Sequence, residues 1–489
     1  MPVGRTAGNG GVEKRPDPPH GGRGGRPPRR GVRGDADGEP PPSALAAPAP
    51  GSIAGGRDLS SRREPESVET HDVVVIGAGL AGLRCATLLA EAGRDVVVLE
   101  AADEVGGRER TDRADGFLLD RGFHVLNPAY PAVARATDIA ALDLRPFPVG
   151  VRVRREDGFR QLAHPLRYPA SIPASLFSGL VSPRAVIALA RWALPGIVDP
   201  RAVIAGPDRS LREGWDAASF RGPLRTEVLE PFLAGVIADD RGETSESFVR
   251  LLVRMFALGR PGVPAGGIGA FPALLAGRAR AAGADIRLGR HVTGIRRRSR
   301  RSEVAVRDAA AAVARAVVVA TDGRSAAKLT GIPAPQTRGL QTWWFSANAP
   351  PAASALLTVD GRRAGPIVNS VVMTRTAPSY APAGKHLVEA TCLLGPDAQR
   401  DPSRAPDEAA VRRQLAGLWG ADARSWSLLR RDDLPDALPA QRPPLRTTSP
   451  ARVSDGVYVA GDHRDTASIQ GALVSGERIA AAVLADLGD

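Results

Sequence analysis

Cysteine, lysine, histidine and long apolar runs are all scarce in this chain of 489 residues. The two cysteines, Cys85 and Cys392, exclude a disulfide framework and any multi-cysteine zinc or iron–sulfur centre, and they fit a reducing compartment. No metal site is expected. Of the 65 basic residues only Lys14, Lys328 and Lys385 are lysine, and the arginines are scattered. A nucleic-acid binder concentrates its basic residues on one face, so the formal net charge of +12 implies no such partner. The densest run, Arg296-Arg297-Arg298-Ser299-Arg300-Arg301, reads as a solvated hairpin, with an anionic-surface contact as the alternative. No stretch reaches the roughly 18 uninterrupted apolar residues of a spanning helix. The N-terminus lacks the apolar core of a Sec-type signal. Cytoplasm is therefore the expected location, with peripheral membrane contact left open.

The remaining composition is that of a globular protein: 43 % hydrophobic and 24 % charged. Gly and Pro make up 26 of the first 70 residues, against 97 of all 489. A segment of that kind buries too little apolar surface to offset its ordering entropy. Residues 1–70 are expected to be a disordered tail.

Val73-Val74-Val75-Ile76 is a short apolar run, typical of a parallel strand buried on both faces. A glycine-rich turn, a helical pattern over Leu80–Ala92 and a second apolar run over Asp95–Glu100 complete a βαβ unit. Further on, helices are expected over Pro183–Leu194, Thr226–Ile237, Ser247–Ala257 and Asp407–Leu418. A meander is expected over residues 286–320, and strands over Gln341–Phe345, Ile367–Thr374 and His386–Leu394. Gly456–Ala460 reads as a last buried strand and Gln470–Leu487 as a closing helix. Residues 171–200 are apolar with few charges. A buried helix pair accounts for them, and an amphipathic helix lying on a membrane, with Arg184 and Arg191, is the alternative.

The chemistry starts in Gly77-Ala78-Gly79-Leu80-Ala81-Gly82, which ends the first strand and opens the first helix. Gly77 permits the tight turn, Gly79 lets the backbone approach a pyrophosphate, and Gly82 lets the helix pack closely on the strand. The free N–H groups there, including those of Leu80 and Ala81, face the phosphates with the positive helix end behind them. Glu100 closes the second strand, followed by Ala101, where a carboxylate accepts hydrogen bonds from ribose hydroxyls. The context makes this a dinucleotide fingerprint rather than a structural turn. Gly106-Gly107-Arg108 offers a second close backbone approach with a phosphate-seeking guanidinium.

These motifs resemble the FAD-binding start of the flavin-containing amine oxidase, protoporphyrinogen oxidase and phytoene desaturase superfamily. The resemblance continues through Asp115–His124 and returns in Val292, in Val317–Thr321, in Val457–Asp462 and in Ser468–Ala472. It implies an α/β fold, with a Rossmann-like FAD-binding domain assembled from residues 71–145, 266–335 and 441–489. A mixed α+β substrate domain would take residues 146–265, largely helical, and 336–440, rich in strands. It implies non-covalent FAD, since no cysteine follows Cys392. It places Gly122, Phe123 and His124 beside the flavin, Val292 at the adenine end, Ala320 and Thr321 at the nucleotide, Gly461 and Asp462 at the ribityl chain, and the amides of Gln470, Gly471 and Ala472 at the pyrimidine. The middle of the chain, including Glu230–Val236 and Pro264–Gly267, looks more like the desaturase branch.

The implied activity is two-electron dehydrogenation or desaturation of a mostly apolar small molecule, isoprenoid-like in the leading version, with O2 or a quinone as acceptor. An amine oxidase, a redox-neutral isomerase and a non-catalytic flavoprotein are the rivals. His463 and His124 are the candidate bases, ahead of Arg121, Asp465 and Tyr380. Trp343-Trp344-Phe345 is a candidate channel lining, and Cys85 reads as helix core.

Overall fold

A computed structural model describes residues 69–164 and 167–488. The tail expected over residues 1–70 lies, but for its last two residues, outside the described residues. Along the chain come β1 (Glu69–Ile76), α1 (Leu80–Glu91), β2 (Val96–Leu99) and the hairpin of β3 (Thr111–Ala114) and β4 (Phe117–Asp120). Then follow β5 (Gly150–Arg155), β6 (Gly158–Ala163), α2 (Ile172–Leu176), α3 (Pro183–Val198), α4 (Pro200–Ala205), α5 (Glu230–Ile237), α6 (Glu246–Leu258) and α7 (Ala270–Ala281). The meander comprises β7 (Asp285–Arg287), β8 (Val292–Arg298), β9 (Arg301–Val306) and β10 (Ala312–Val319), and leads to α8 (Gly323–Thr330). β11 (Thr337–Ala347), β12 (Leu357–Asp360), β13 (Ile367–Val372), β14 (His386–Leu394), α9 (Glu408–Trp419) and β15 (Ser427–Pro439) precede β16 (Arg452–Ser454), β17 (Val457–Val459) and α10 (Ile469–Leu487).

Two larger sheets organise these elements. In the first, β7, β2, β1, β10 and β17 run parallel in that order, and β8 and β9 extend it through the first half of β10. β1 pairs with β10 from Glu69 to Ile76, so the strand begins before the apolar run. Both faces of this sheet are covered, which is why its strands are continuous apolar runs rather than alternating ones. Val73 and Val75 face α1, α7 and α10, whereas Val74 and Ile76 face the opposite layer. The second sheet has the order β15-β11-β14-β13-β12-β5-β6. One of its faces packs on α9 through Trp343, Phe345, Val388 and Leu415, and the other meets the β3–β4 hairpin through Trp344, Val371 and Leu387. The described residues fall in one compact unit.

Three local expectations are corrected. The helix expected over Thr226–Ile237 is wound as a π turn over Leu224–Leu229 before α5 begins, and Pro231 stands in the first turn of α5. The strand expected over Ile367–Thr374 stops at Val372, and Met373–Thr376 turn as a short helix with Met373 fully buried. The buried helix pair expected over residues 171–200 is instead half outside. Leu176, Phe177, Ile187, Leu194 and Val198 are exposed, while the inward face of α3 is built from Ala185, Ala188, Trp192, Ala193 and Gly196.

Candidate flavin site

The strand–helix turn at Gly77–Gly82 is shaped by contacts a side chain would destroy. Gly77 has φ +103° and lies against Ala320, where a Cβ would come within 2.8 Å of the Ala320 carbonyl oxygen. A Cβ on Gly82 would sit 2.0 Å from the Gly77 carbonyl oxygen. Gly79 differs, since the space its Cβ would take is open. No side chain caps α1, whose first residues Leu80 and Ala81 are buried. A helix start leaves its first N–H groups without intrahelical partners, and the macrodipole makes that end positive. An open cradle, uncapped amides and a positive helix end suit the diphosphate of a dinucleotide.

The other predicted residues gather round this turn. Gly106 N–H donates to the Ala78 carbonyl at 2.9 Å, so the second glycine pair lies directly beside the first. The Glu100 carboxylate, at the end of β2, accepts from Ala78 N–H at 2.6 Å and Ala102 N–H at 2.9 Å; Ala101 is exposed between them. Ala320 N–H donates to the Ile76 carbonyl at 2.8 Å, and Thr321 follows on the same edge. Val292 is the buried first residue of β8. Arg108 donates to the Asp462 carboxylate at 2.6 Å, which joins positions 354 residues apart. Gly461 N–H donates to Ser475 Oγ at 3.0 Å, tying the end of β17 to α10.

At the start of α10, Gly471 N–H donates to Ser468 Oγ at 3.0 Å and Ala472 N–H to the Ser468 carbonyl at 2.9 Å. The Gln470 side chain accepts from Ala132 N–H at 2.9 Å. The helix is therefore capped from its own chain at Gly471, and the amides of Ile469 and Gln470 precede the capped one. Both cysteines are buried, Cys85 in α1 and Cys392 in β14, and burial pushes the Cys85 thiol up to about 12.

The two candidate histidines differ sharply. His124 is engaged at both ring nitrogens: Nε2–H donates to the Arg121 carbonyl at 2.9 Å, and Nδ1 lies 3.2 Å from the Glu109 carboxylate. Burial works against its charge, but the Glu109 carboxylate and its hydrogen bond prevail and lift the pKa to about 9. With both ring nitrogens engaged, His124 braces the segment after β4. His463 is buried with no hydrogen-bond partner at either ring nitrogen among the described residues. Burial depresses its pKa and keeps it neutral; the nearest Asp462 carboxylate oxygen, 4.0 Å away, opposes that only weakly.

Several contacts at this site had no signal in the sequence. Asp120 is buried and accepts from Thr111 Oγ at 2.6 Å, Tyr380 OH at 2.9 Å and Ile268 N–H at 3.1 Å. Burial raises its pKa. Tyr380 is thereby a structural donor, and Arg121 is paired with Asp112 at 2.9 Å. Asp465 is buried with one carboxylate oxygen unpartnered, and burial lifts its pKa to about 6. Of the tryptophan–phenylalanine run, only Trp344 faces the β3–β4 hairpin; Trp343 and Phe345 point into the α9 core.

The fold and this turn define a dinucleotide-binding oxidoreductase. A family model for flavin containing amine oxidoreductases matches residues 80–484, and one for pyridine nucleotide-disulphide oxidoreductases matches residues 23–131. The chain therefore belongs to the flavin-containing amine oxidoreductase family, and its cofactor is FAD. Among curated relatives, the dog flavin-containing amine oxidase A is 40 % identical over 108 residues, which is 22 % of this chain and 20 % of that protein. The daffodil 15-cis-phytoene desaturase is 41 % identical over 75 residues, 15 % of this chain and 13 % of that protein. The aligned stretches thus span about a fifth or less of these relatives. Among solved structures, an oxidoreductase from Methanosarcina mazei superposes with a TM-score of 0.68 at 20 % identity, covering 83 % of this chain and 99 % of the other. At that identity the likeness speaks for the fold alone.

Proposed function

We propose that the protein is a cytoplasmic FAD-dependent dehydrogenase or desaturase of a mostly apolar small molecule, isoprenoid-like in chemistry, with O2 or a quinone as the final acceptor. The observation that carries this reading is the pair of partly buried aromatic rings at the segment after β4. Phe123 and Phe147 meet edge to face with centroids 6.0 Å apart, on a cluster of Phe117, Leu119, Trp344, Met373 and Leu387. Phe123 and Phe147 are only partly buried, so an apolar substrate that covers them gains from leaving water.

The Gly77–Gly82 turn would hold FAD, which would supply hydride acceptance from a substrate C–H and return of the two electrons to the acceptor. The residues of this chain supply the rest. The Gly77–Gly82 turn and Glu100 hold the dinucleotide, and the Phe123 and Phe147 rings exclude water from the reacting carbon. The positive end of α10 offsets negative charge that develops near it. Loss of hydride leaves a carbocation, and neutral His463 takes the proton of the adjacent carbon at a ring nitrogen, which leaves a C=C bond. The remaining cofactor-site residues named above act through backbone amides and packing.

The test is anaerobic flavin bleaching against isoprenoids, porphyrinogens and amines, with FAD content read after acid release. Bleaching by isoprenoids is expected. Bleaching by amines alone, or product formed with no change in flavin redox state, overturns the reading in favour of an amine oxidase or an isomerase. His463→Ala should slow flavin reduction by about 10²-fold or more while FAD content stays full. Unchanged reduction kinetics would remove His463 from the reaction.

A further inference from the structure

Two arginines of the second sheet stand apart from their neighbours. Arg152 and Arg154 are both half-buried on β5. Strand alternation sends Val151 and Val153 to the core shared with α3 and α6, and Arg152 and Arg154 to the other face, where α9 packs. The Arg152 guanidinium carbon lies 3.6 Å from the centre of the Phe159 ring and 5.4 Å from that of Trp419, the last residue of α9. The Arg154 guanidinium carbon lies 4.8 Å from the same Phe159 ring. Phe159, on β6, is the register partner of Arg154, and Gln161 that of Arg152. One aromatic ring thus carries two cations.

Neither guanidinium has a hydrogen-bond or ion-pair partner among the described residues, and Arg152 Nη1 and Arg154 Nε are buried. The acids nearby are committed elsewhere. Asp360 stands opposite Arg154 in register, but its carboxylate accepts from Arg362 Nε at 2.8 Å, Arg362 Nη2 at 3.1 Å and Gln414 Nε2 at 3.1 Å. Asp157 takes Arg160, and Glu227 takes Arg155 at 2.8 Å. Glu156, exposed in the turn between β5 and β6, adds its charge to the side of Arg362. Burial and the Arg154 charge both work against the charged form of Arg152. Two like charges drawn together, half out of water and with N–H groups left over, are costly until an anion completes them.

We infer that Arg152 and Arg154 form a binding site for a phosphate dianion, as carried by a small phosphorylated molecule, on the face of the second sheet where α9 packs. The aromatic rings pin the guanidinium groups and leave N–H groups free, an arrangement that takes oxyanions through charge-assisted, paired hydrogen bonds. A double negative charge matches two guanidiniums, so a phosphate monoester fits better than a carboxylate. The site is separate from the Gly77–Gly82 turn, which belongs to the first sheet.

This inference goes beyond the catalytic reading and is tested without turnover. Full-length, FAD-loaded protein keeps the flavin site filled. Inorganic phosphate is titrated against sodium acetate and sodium chloride at matched ionic strength. Phosphate is expected to show saturable broadening of its phosphorus NMR line. At tenfold excess over its dissociation constant it should raise the thermal midpoint by about 2 °C. Acetate and chloride should leave the midpoint where it was. Arg152→Gln and Arg154→Gln should each weaken phosphate binding about tenfold or more. Arg155→Gln, which alters the opposite face of β5, should bind phosphate as the wild type does. Flavin content and the phosphate-free midpoint show whether each variant is folded. Absence of phosphate binding by the wild type, an equal rise with acetate, or binding that both Arg152→Gln and Arg154→Gln retain overturns the inference.

Discussion

In the first sheet the buried strands are uniformly apolar: Val73–Ile76, Val96–Leu99 and Val317–Val319 present aliphatic side chains to both layers. In the second sheet the equally buried strands carry Gln341, Thr342, Asn369, Glu389 and Thr391, all at 2 % exposure or less. The first region meets its ligand with backbone, through a turn whose glycines leave room for phosphate. The side chains within its strands are free to be nothing but core, and Glu100 stands just past the end of β2. The second region offers side chains, and polar ones in its interior must find partners or stay neutral. Gln341 does find them, between Trp343 and Asp433. Glu389 has one oxygen bonded to Thr391 and the other unpartnered, and burial lifts its pKa to about 8. The comparison teaches that the cofactor turn is built from chain geometry, whereas the second sheet buries polar side chains that must be satisfied one by one.

The comparison breaks most visibly at Gly82. Gly82→Val drives a side chain into the Gly77 carbonyl, and a loss of at least about 4 kcal/mol is expected, with flavin content falling to near zero. Retention of full FAD by a normally folded variant would show that the turn is not the site.

A smaller effect separates the two regions by pH. His124 joins the segment after β4 to Glu109, and its folded pKa of about 9 stands above the ordinary 6.5. Its contribution is complete below about pH 6.5, declines as pH rises, and is gone above about pH 9; full strength is about 3 kcal/mol. His124→Gln should therefore lower the thermal midpoint most at the acid end of that window. A variant with the same deficit at every pH would place the imidazole charge outside the folding equilibrium.

The second sheet gives an effect of opposite direction. Glu389 is held protonated, so its stabilising influence is complete below its ordinary 4.5 and is lost as pH rises to about 8. Glu389→Gln keeps a neutral group beside Thr391 and should raise the midpoint by a few degrees above pH 8, with little change near pH 4.5. Destabilisation across the whole range would show that the unpartnered oxygen is satisfied in solution as a carboxylate.

Legibility followed the same division. The βαβ unit, the Glu100 position and the last strand could be read because each depends on neighbours within about 30 residues, where period and glycine placement carry the signal. The partner of Asp462 could not be read, because Arg108 reaches it only after the whole intervening chain has folded. His124 and His463 looked alike as letters. One became a cation and the other a neutral ring because Glu109 lies against the first and dry packing surrounds the second. The Trp343-Trp344-Phe345 run was visible as an aromatic cluster, but strand alternation sends its members to opposite faces.

By itself, then, the order of residues determined that a dinucleotide turn exists, which glycines build it and that its strands are buried on both sides, since local sterics and hydrophobic period need no distant partner. Only the tertiary structure decided which histidine keeps a free nitrogen and which apolar helix faces outward. Both depend on what packs against a side chain from elsewhere in the chain, and burial and charge are properties of that neighbourhood.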